Sequence, residues 1–296
     1  MVEHGHSDSI APSRVVVLGA SGFLGRDLVR RLEVHGIPVL GLSSADADLT
    51  DISSVKTMSE LVKPGDALVF ASALTPDKGR DIRTMMRNMA MGEHVSALLD
   101  KSDFSHVVYI SSDAVYADDV ALAREDSRCE PSNYYGLMHV VRERMMLDTL
   151  AAQGTPLLIL RPTLLYGPED THNSYGPNRY FRMAADDGKI TLFGQGEEKR
   201  DHVYIEDVSR LITDVLERKS AGTLNLASGT SVPFMEAANI VAGLVGPSVE
   251  IAGLPRQMPI THRHFDTTAL VKAFPAFRFT PLADGLKATW ETKNGG

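Results

Sequence analysis

A doubly wound, parallel α/β sheet is predicted by three observations. Short apolar or β-branched runs recur at 14–18, 37–42, 67–71, 106–111 and 156–161. Segments of helical periodicity lie between them, near 22–35, 53–63, 80–101 and 133–153. The first run also enters a glycine turn that opens directly into the first helix. Strands alternating with helices build a parallel sheet covered on both faces, because each parallel connection must cross back over the sheet.

Val15 to Leu18 have the pattern of a buried parallel strand. The turn that follows carries Gly19, Gly22 and Gly25 at G-x-x-G-x-x-G spacing. Gly19 permits a tight turn, Gly22 lets a pyrophosphate approach the backbone, and Gly25 allows the helix to pack on the strand. Phe23, Leu24, Leu28, Val29 and Leu32 then repeat at helical spacing, with Asp27, Arg30, Arg31 and Glu33 on the other side. Three glycines alone also fit a purely structural turn. Between a strand and a helix they predict a Rossmann-type dinucleotide site built from Gly19, Ser21, Gly22, Phe23, Leu24 and Gly25, with the first N–H groups of the helix facing the phosphates.

The second strand ends in Ser43 and Ser44, where an acidic residue usually selects NAD. Hydroxyls there do not repel a 2′-phosphate and can donate to it. NADP is therefore the expected cofactor, with NAD possible, and Arg26 or another basic residue is available to add charge. Asp48 and Leu49 are candidate adenine contacts; Asp48 as a cap for the helix beginning near Ile52 is the alternative.

With 296 residues, 43% hydrophobic and 23% charged, the chain has the composition of a soluble enzyme large enough for two domains. A net charge of -8 without a basic stretch argues against nucleic-acid or anionic-membrane binding. No apolar run reaches membrane-spanning length. Cys129 is the only cysteine, which fits a reducing cytoplasm. Residues 1–13 read as a loose tail, and 14–168 as the dinucleotide-binding domain, with 200–228 returning to it. After Pro168 the rhythm breaks into a loop containing Asn173, Gly176, Pro177 and Asn178. Segments 169–199 and 229–296 are expected to form a smaller substrate domain over the carboxyl ends of the strands. His262, Arg263 and His264 lack accompanying carboxylates or cysteines, so no metal site is expected.

Ser111, Ser112 and Asp113 fall at the carboxyl end of the fourth strand region, where ligands collect in α/β sheets. Pro131-Ser-Asn-Tyr-Tyr-Gly-Leu-Met-His139 follows at the start of a long helix. Together with Asp48-Leu-Thr-Asp51, Phe70-Ala-Ser-Ala73, Asn88, Leu160-Arg-Pro162, Tyr166-Gly-Pro168, Arg200-Asp201, Glu206-Asp-Val208 and Asn225 to Gly229, this order resembles the extended short-chain dehydrogenase/reductase superfamily, in its nucleotide-sugar epimerase, dehydratase and reductase branch. The resemblance runs from Val15 to about Trp290.

The resemblance implies catalysis by Ser112 and Tyr135: the tyrosine moves a proton to or from a sugar oxygen while Ser112 hydrogen-bonds it. It also implies cofactor contacts from Ala71, Ser72, Ala73, Asn88, Tyr135 and His139. Arg200 would grip a substrate diphosphate, a task its planar fork suits. Asp113, Asn178 and Arg263 are the other candidate substrate contacts.

One position departs from the family pattern. Four residues after Tyr135 the family has Lys, which holds the nicotinamide ribose and lowers the tyrosine pKa; this chain has His139. A full charge at ~4 Å and an effective dielectric of ~20 is worth ~4 kcal/mol. His139 is expected to keep the ribose contact when neutral and to assist Tyr135 when protonated.

The dehydratase branch resembles a Thr-Asp-Glu arrangement, and Ala114 replaces the second carboxylate, so dehydration is not expected. A 4-ketoreductase is the first reading and an epimerase the second. A catalytically silent NAD(P)-sensing protein is the rival from another class, which Ser112, Tyr135 and Arg200 argue against. Surplus apolar residues on two helices (Met85, Met86, Met89, Met91 and Val95; Met138, Val141, Met145 and Met146) predict a homodimer.

Overall fold

The computed structural model describes residues 2–170, 176–256 and 259–295. In chain order its first half runs β1 (Glu3–His4), β2 (Val15–Leu18), α1 (Phe23–Val34), β3 (Val39–Leu42), α2 (Ser53–Leu61), β4 (Ala67–Phe70) and α3 (Ile82–Leu99). Next come β5 (His106–Ile110), a 3₁₀ turn (Asp113–Val115), β6 (Leu122–Ala123), α4 (Tyr134–Ala151), β7 (Leu157–Pro162) and β8 (Leu164–Tyr166). The second half contains α5 (Pro177–Asp187), β9 (Lys189–Phe193), β10 (Lys199–Tyr204), α6 (Ile205–Glu217) and β11 (Ser220–Leu226). It closes with β12 (Ser231–Pro233), α7 (Phe234–Val245), β13 (Glu250–Leu254), β14 (His264–Phe265), α8 (Thr268–Ala273) and α9 (Leu282–Asn294).

Seven strands form the main sheet in the order β1-β11-β7-β5-β4-β2-β3. All neighbours pair in parallel except β1 with β11. The chain leaves β2 for β3 on one side and returns to β4 on the other, so the strand order reverses beside β2. That reversal opens a crevice at the carboxyl ends of β2 and β4. Val15, Val17, Val69 and Val108 point to the layer formed by α1 and α6, against Leu28, Leu32, Leu211 and Ile212. Val16, Leu68, Val107 and Tyr109 face Val95, Leu98 and Met146 of α3 and α4. Strands buried on both faces give the continuous apolar runs visible in the sequence.

The remaining strands form small sheets, β12-β10-β8, β13-β9 and β14-β6. Helix α7 packs on α5 and α9. This layer has no separate core: Tyr166, Phe181, Ile190 and Ala237 belong to the same apolar cluster as Leu28 and Ile212.

Two expectations change. Residues 1–13 are not simply a loose tail: Glu3–His4 pair antiparallel with Ser220 and Ala221 at the sheet edge. His4 also joins Ser220 Oγ at 2.8 Å and the Ala273 carbonyl at 2.9 Å. Two residues are too few to show a strand period, so only the open edge of β11 explains the segment. Of the methionine-rich helix surfaces, Met91, Val95, Met138 and Met146 are core residues. The exposed large apolar residues on α3 and α4 are Ile82, Met86, Tyr134, Leu137 and Leu147.

Candidate active site

Helix α1 begins at Gly22 without a side-chain cap, which leaves its first N–H groups for a ligand. A Cβ on Gly25 would lie 2.0 Å from the Gly19 carbonyl oxygen, so the helix approaches the turn closely only with glycine there. The turn floors a cavity of about 340 Å³ lined by Gly19, Gly22, Ala73, Ser112, Tyr135 and His139, among others. An uncapped helix N-terminus over a glycine floor at the strand-order reversal fits a dinucleotide pyrophosphate. Phe23, Leu24, Gly25, Ala71 and Asp113 also line this cavity, with Asp170, Gly176 and Pro177 on its far side. Residues 171–175 of the loop expected there, including Asn173, lie outside the described residues.

A second hollow of about 240 Å³ continues towards β3, lined by Ser43, Ser44, Asp48, Leu49, Ser72, Leu74 and Arg87. The Ser43 amide and hydroxyl both donate to Asp46 Oδ2, at 2.8 and 2.7 Å. Those bonds hold the Asp46 carboxyl below its ordinary pKa, so an ionised group stands at the end of β3. Ser43 is therefore engaged, unlike the open hydroxyl expected from sequence. Arg26 does not reach this hollow: it binds Glu169 and donates to the Ser21 carbonyl. The cation lining it is Arg87 of α3, which lies far along the chain from the second strand and gave no sequence signal. Asp48 accepts from the Thr50 amide and hydroxyl, and Asp51 takes the Ser53 amide at the start of α2. Asn88 is buried, with its amide on the Leu74 N–H and carbonyl, so it fixes the loop after β4 from behind.

Ser112 caps the 3₁₀ turn: its Oγ accepts from the Ala114 amide at 3.1 Å and donates to Asp113 Oδ1 at 3.4 Å. Asn133 caps α4 through the Gly136 amide, at 2.9 Å. A Cβ on Gly136 would meet the Ala114 carbonyl oxygen at 2.0 Å, so α4 starts pressed against that turn. This contact brings Tyr135 to the wall that carries Ser112. One helical turn on, the His139 ring meets that of Tyr135 edge-on, centroids 4.7 Å apart.

His139 is 1% exposed. Its Nδ1 lies 2.7 Å from the Tyr109 hydroxyl, and its Nε2 is buried without a hydrogen-bond partner. Burial, reinforced by the Arg142 guanidinium, lowers its pKa well below the ordinary histidine value. Burial thus favours the neutral imidazole, the state in which His139 is expected to keep the ribose contact.

Behind Ser112, Glu143 of α4 receives two bonds from Arg161 of β7, at 2.9 and 2.7 Å. It also accepts from Ser111 Oγ at 2.6 Å. Arg161 Nη1 continues to Tyr116 Oη and the Glu125 carbonyl, each at 3.0 Å, and Tyr116 donates to Asn225 Oδ1. The network ties α4, β5, β7 and β11 together beneath the cavity.

On β10, Arg200 donates to the Lys199 and Thr261 carbonyls and to Thr261 Oγ1. Its neighbour Asp201 faces the other side of β10 and accepts from the Ser228 hydroxyl and the Ser228 and Gly229 amides. Arg263 donates to the Ala117 carbonyl at 3.2 Å, and its Nη1 is buried without a partner. Burial raises the Asp113 pKa, while the charges of Arg263 and Arg200 both act to lower it. Asn178 does not join them: it is buried and its amide braces the Gly167 backbone. Among the described residues no group of His, Cys, Asp and Glu is arranged for a metal, and no helix is long and apolar enough to cross a membrane.

A parallel sheet with a glycine turn, and a Ser–Tyr pair on one wall of its crevice, define a Rossmann-type short-chain dehydrogenase/reductase. The sequence model of the NAD dependent epimerase/dehydratase family matches residues 15–227, and the chain belongs to that family of enzymes. The dTDP-4-dehydro-6-deoxy-D-allose reductase of Streptomyces bikiniensis is 26% identical, over 96% of this chain and 97% of the relative. The UDP-glucose 4-epimerase of Thermus thermophilus, solved with NAD, superposes with a TM-score of 0.83 at 19% identity, covering 96% and 99% of the two chains. A GDP-L-fucose synthetase from Naegleria fowleri, bound to NADP, gives 0.82 at 17% identity, with 98% of each chain covered. The structural likenesses carry the fold, and the dependence on a nicotinamide cofactor comes with the family.

Proposed function

We propose that this protein is an NAD(P)-dependent oxidoreductase of a nucleotide-linked sugar, and specifically a 4-ketoreductase. The observation that carries this reading is the shared wall of Ser112, Tyr135 and His139 beside the glycine turn. The full-length similarity to the Streptomyces bikiniensis reductase supports the choice of reaction. When bound, a reduced nicotinamide supplies hydride to the carbonyl carbon. The Tyr135 hydroxyl gives its proton to the sugar oxygen, and Ser112 Oγ donates a hydrogen bond to the same atom, offsetting the charge that develops there. His139, which lines the same cavity and has an unpartnered Nε2, is the residue proposed to contact the nicotinamide ribose. Arg200 and Arg263, whose charges both act on Asp113, suit the diphosphate of the substrate. Ala114 follows Asp113, which leaves no second carboxylate for dehydration.

NADP is the proposed cofactor, on the strength of Ser43, Ser44 and Arg87 lining the hollow beside β3. A homodimer through α3 and α4 is proposed from the exposed Met86, Leu137 and Leu147. The assay is consumption of NADPH with a dTDP-4-keto-6-deoxysugar, followed by its absorbance, with Tyr135→Phe as the inactive control. An epimerase would instead interconvert two sugars without net cofactor consumption. Absence of both activities across dTDP-, UDP- and GDP-linked sugars overturns the proposal.

A further inference from the structure

Three residues beyond His139, α4 places Arg142 with 0% exposure. Its Nε donates to the Asn88 carbonyl at 2.9 Å and its Nη1 to the Ser72 carbonyl at 3.0 Å. Its Cζ sits 4.6 Å over the Phe70 ring, and Nη2 has no hydrogen-bond partner. Among the described residues no carboxylate pairs with it; the adjacent Glu143 is bound to Arg161. The groups that feel its charge are the phenols of Tyr109 and Tyr135 and the imidazole of His139. A buried cation without a counter-ion costs several kcal/mol, far more than an apolar side chain of similar size.

The tautomer of His139 follows from the same neighbours. The Tyr109 hydroxyl faces His139 Nδ1 and the Arg142 guanidinium. The Arg142 charge acts on the Tyr109 phenol and favours the orientation with the oxygen lone pairs towards the cation and the proton on His139 Nδ1, 2.7 Å away. The imidazole proton then resides on Nε2, the buried atom left without a partner in a residue that lines the cavity.

We propose that Arg142 is the positioning cation of this site, holding His139 through Tyr109 as the Nε2–H donor and supplying beside Tyr135 the permanent charge that the family pattern takes from lysine. The inference rests on reading Tyr135 as the proton donor to the sugar oxygen. It divides the work of one lysine between two residues: His139 makes the ribose contact and Arg142 carries the charge. Because the charge is on arginine, it does not titrate in the working range. The titratable groups packed around it are Tyr109 of β5 and Tyr135, His139 and Glu143 of α4, the last neutralised by Arg161.

Two measurements test it. Nitrogen-15 shifts of the imidazoles, assigned by comparison with His139→Gln, should show His139 as a neutral Nε2–H tautomer at neutral pH, with no titration at the ordinary histidine value. In Tyr109→Phe, which removes one oxygen and keeps the ring, the tautomer preference should be lost. An Nδ1–H tautomer in the unsubstituted protein, or titration near the ordinary histidine value, overturns the proposal without requiring any turnover. In the NADPH assay, Arg142→Met should lower kcat about tenfold to hundredfold, with a smaller loss as pH rises, and leave the KM for sugar nearly unchanged. Arg142→Lys should restore most of that loss. Equal, pH-independent losses in Met and Lys variants mark Arg142 as packing only and overturn the proposal. If no nucleotide sugar is turned over while the tautomer is Nε2–H, the proposed reaction fails and the hydrogen-bonded chain stands.

Discussion

Glu143→Leu should destabilise the protein by about 3–5 kcal/mol, the range for removing one partner of a buried ion pair. The side chains of Glu143 and Arg161 are 9% and 7% exposed, so water cannot replace the lost carboxylate. Arg161 would keep Tyr116 and the Glu125 carbonyl but lose two charge-assisted bonds, and the Ser111 hydroxyl would lose its acceptor. Arg161→Met should cost a similar amount by leaving Glu143 ionised with only Ser111 beside it. The double variant removes both charges and should recover several kcal/mol relative to the sum of the single losses, because the desolvation penalty disappears with the pair. Equilibrium urea unfolding, followed by far-ultraviolet circular dichroism, measures all four proteins. Single losses below about 1 kcal/mol, or strict additivity in the double variant, would refute the reasoning.

Acid should destabilise the fold through its buried histidines. Burial lowers both His106 and His202 from the ordinary value of 6.5 to about 4. The unfolded chain binds those protons first, so stability should be full above about pH 6.5 and fall as pH drops towards 4, by roughly 3 kcal/mol per histidine. Urea midpoints across that window check this, and His106→Gln should flatten the slope; an unchanged slope counts against it. Arg200→Ala should raise the KM or Kd for a nucleotide sugar by roughly 1.5–3 kcal/mol and leave NADPH binding intact. Calorimetry showing equal losses of both ligands would make Arg200 structural. Ser43→Asp should shift preference from NADP towards NAD by placing a second carboxylate beside Asp46; an unsubstituted protein that already binds NADH as tightly as NADPH would show the assignment to be mistaken.

The strand–helix alternation was legible because β2, β4, β5 and β7 are buried on both faces and read as unbroken apolar runs. The glycine turn was legible because it depends on local spacing, whereas Ser112 and Tyr135 were singled out only through the family resemblance. His139 was visible as a departure from pattern, but its charge state was not, since that depends on Tyr109 thirty residues earlier and on the depth of the pocket. Nothing in the sequence singles out Arg142, and only the closing of α3 and β4 over it makes it a buried cation. Asn88 and Asn178 were expected at ligands and instead hold backbone loops, because a side-chain amide satisfies a buried N–H and C=O equally well. Arg87 and Glu143 reach their places through tertiary packing alone.

The antiparallel pairing of Glu3–His4 with β11 has a consequence for the solution behaviour of the protein. Without that short strand the last parallel strand would present a row of unpaired amides and carbonyls, a template on which another polypeptide can add itself. The Gly5, His6 and Ile10 amides extend the cover along Arg218, Lys219 and Glu217. The amino-terminal residues therefore shield the start of the edge strand at Ser220 and Ala221, and a preparation trimmed at this end would lay that stretch open to an incoming strand.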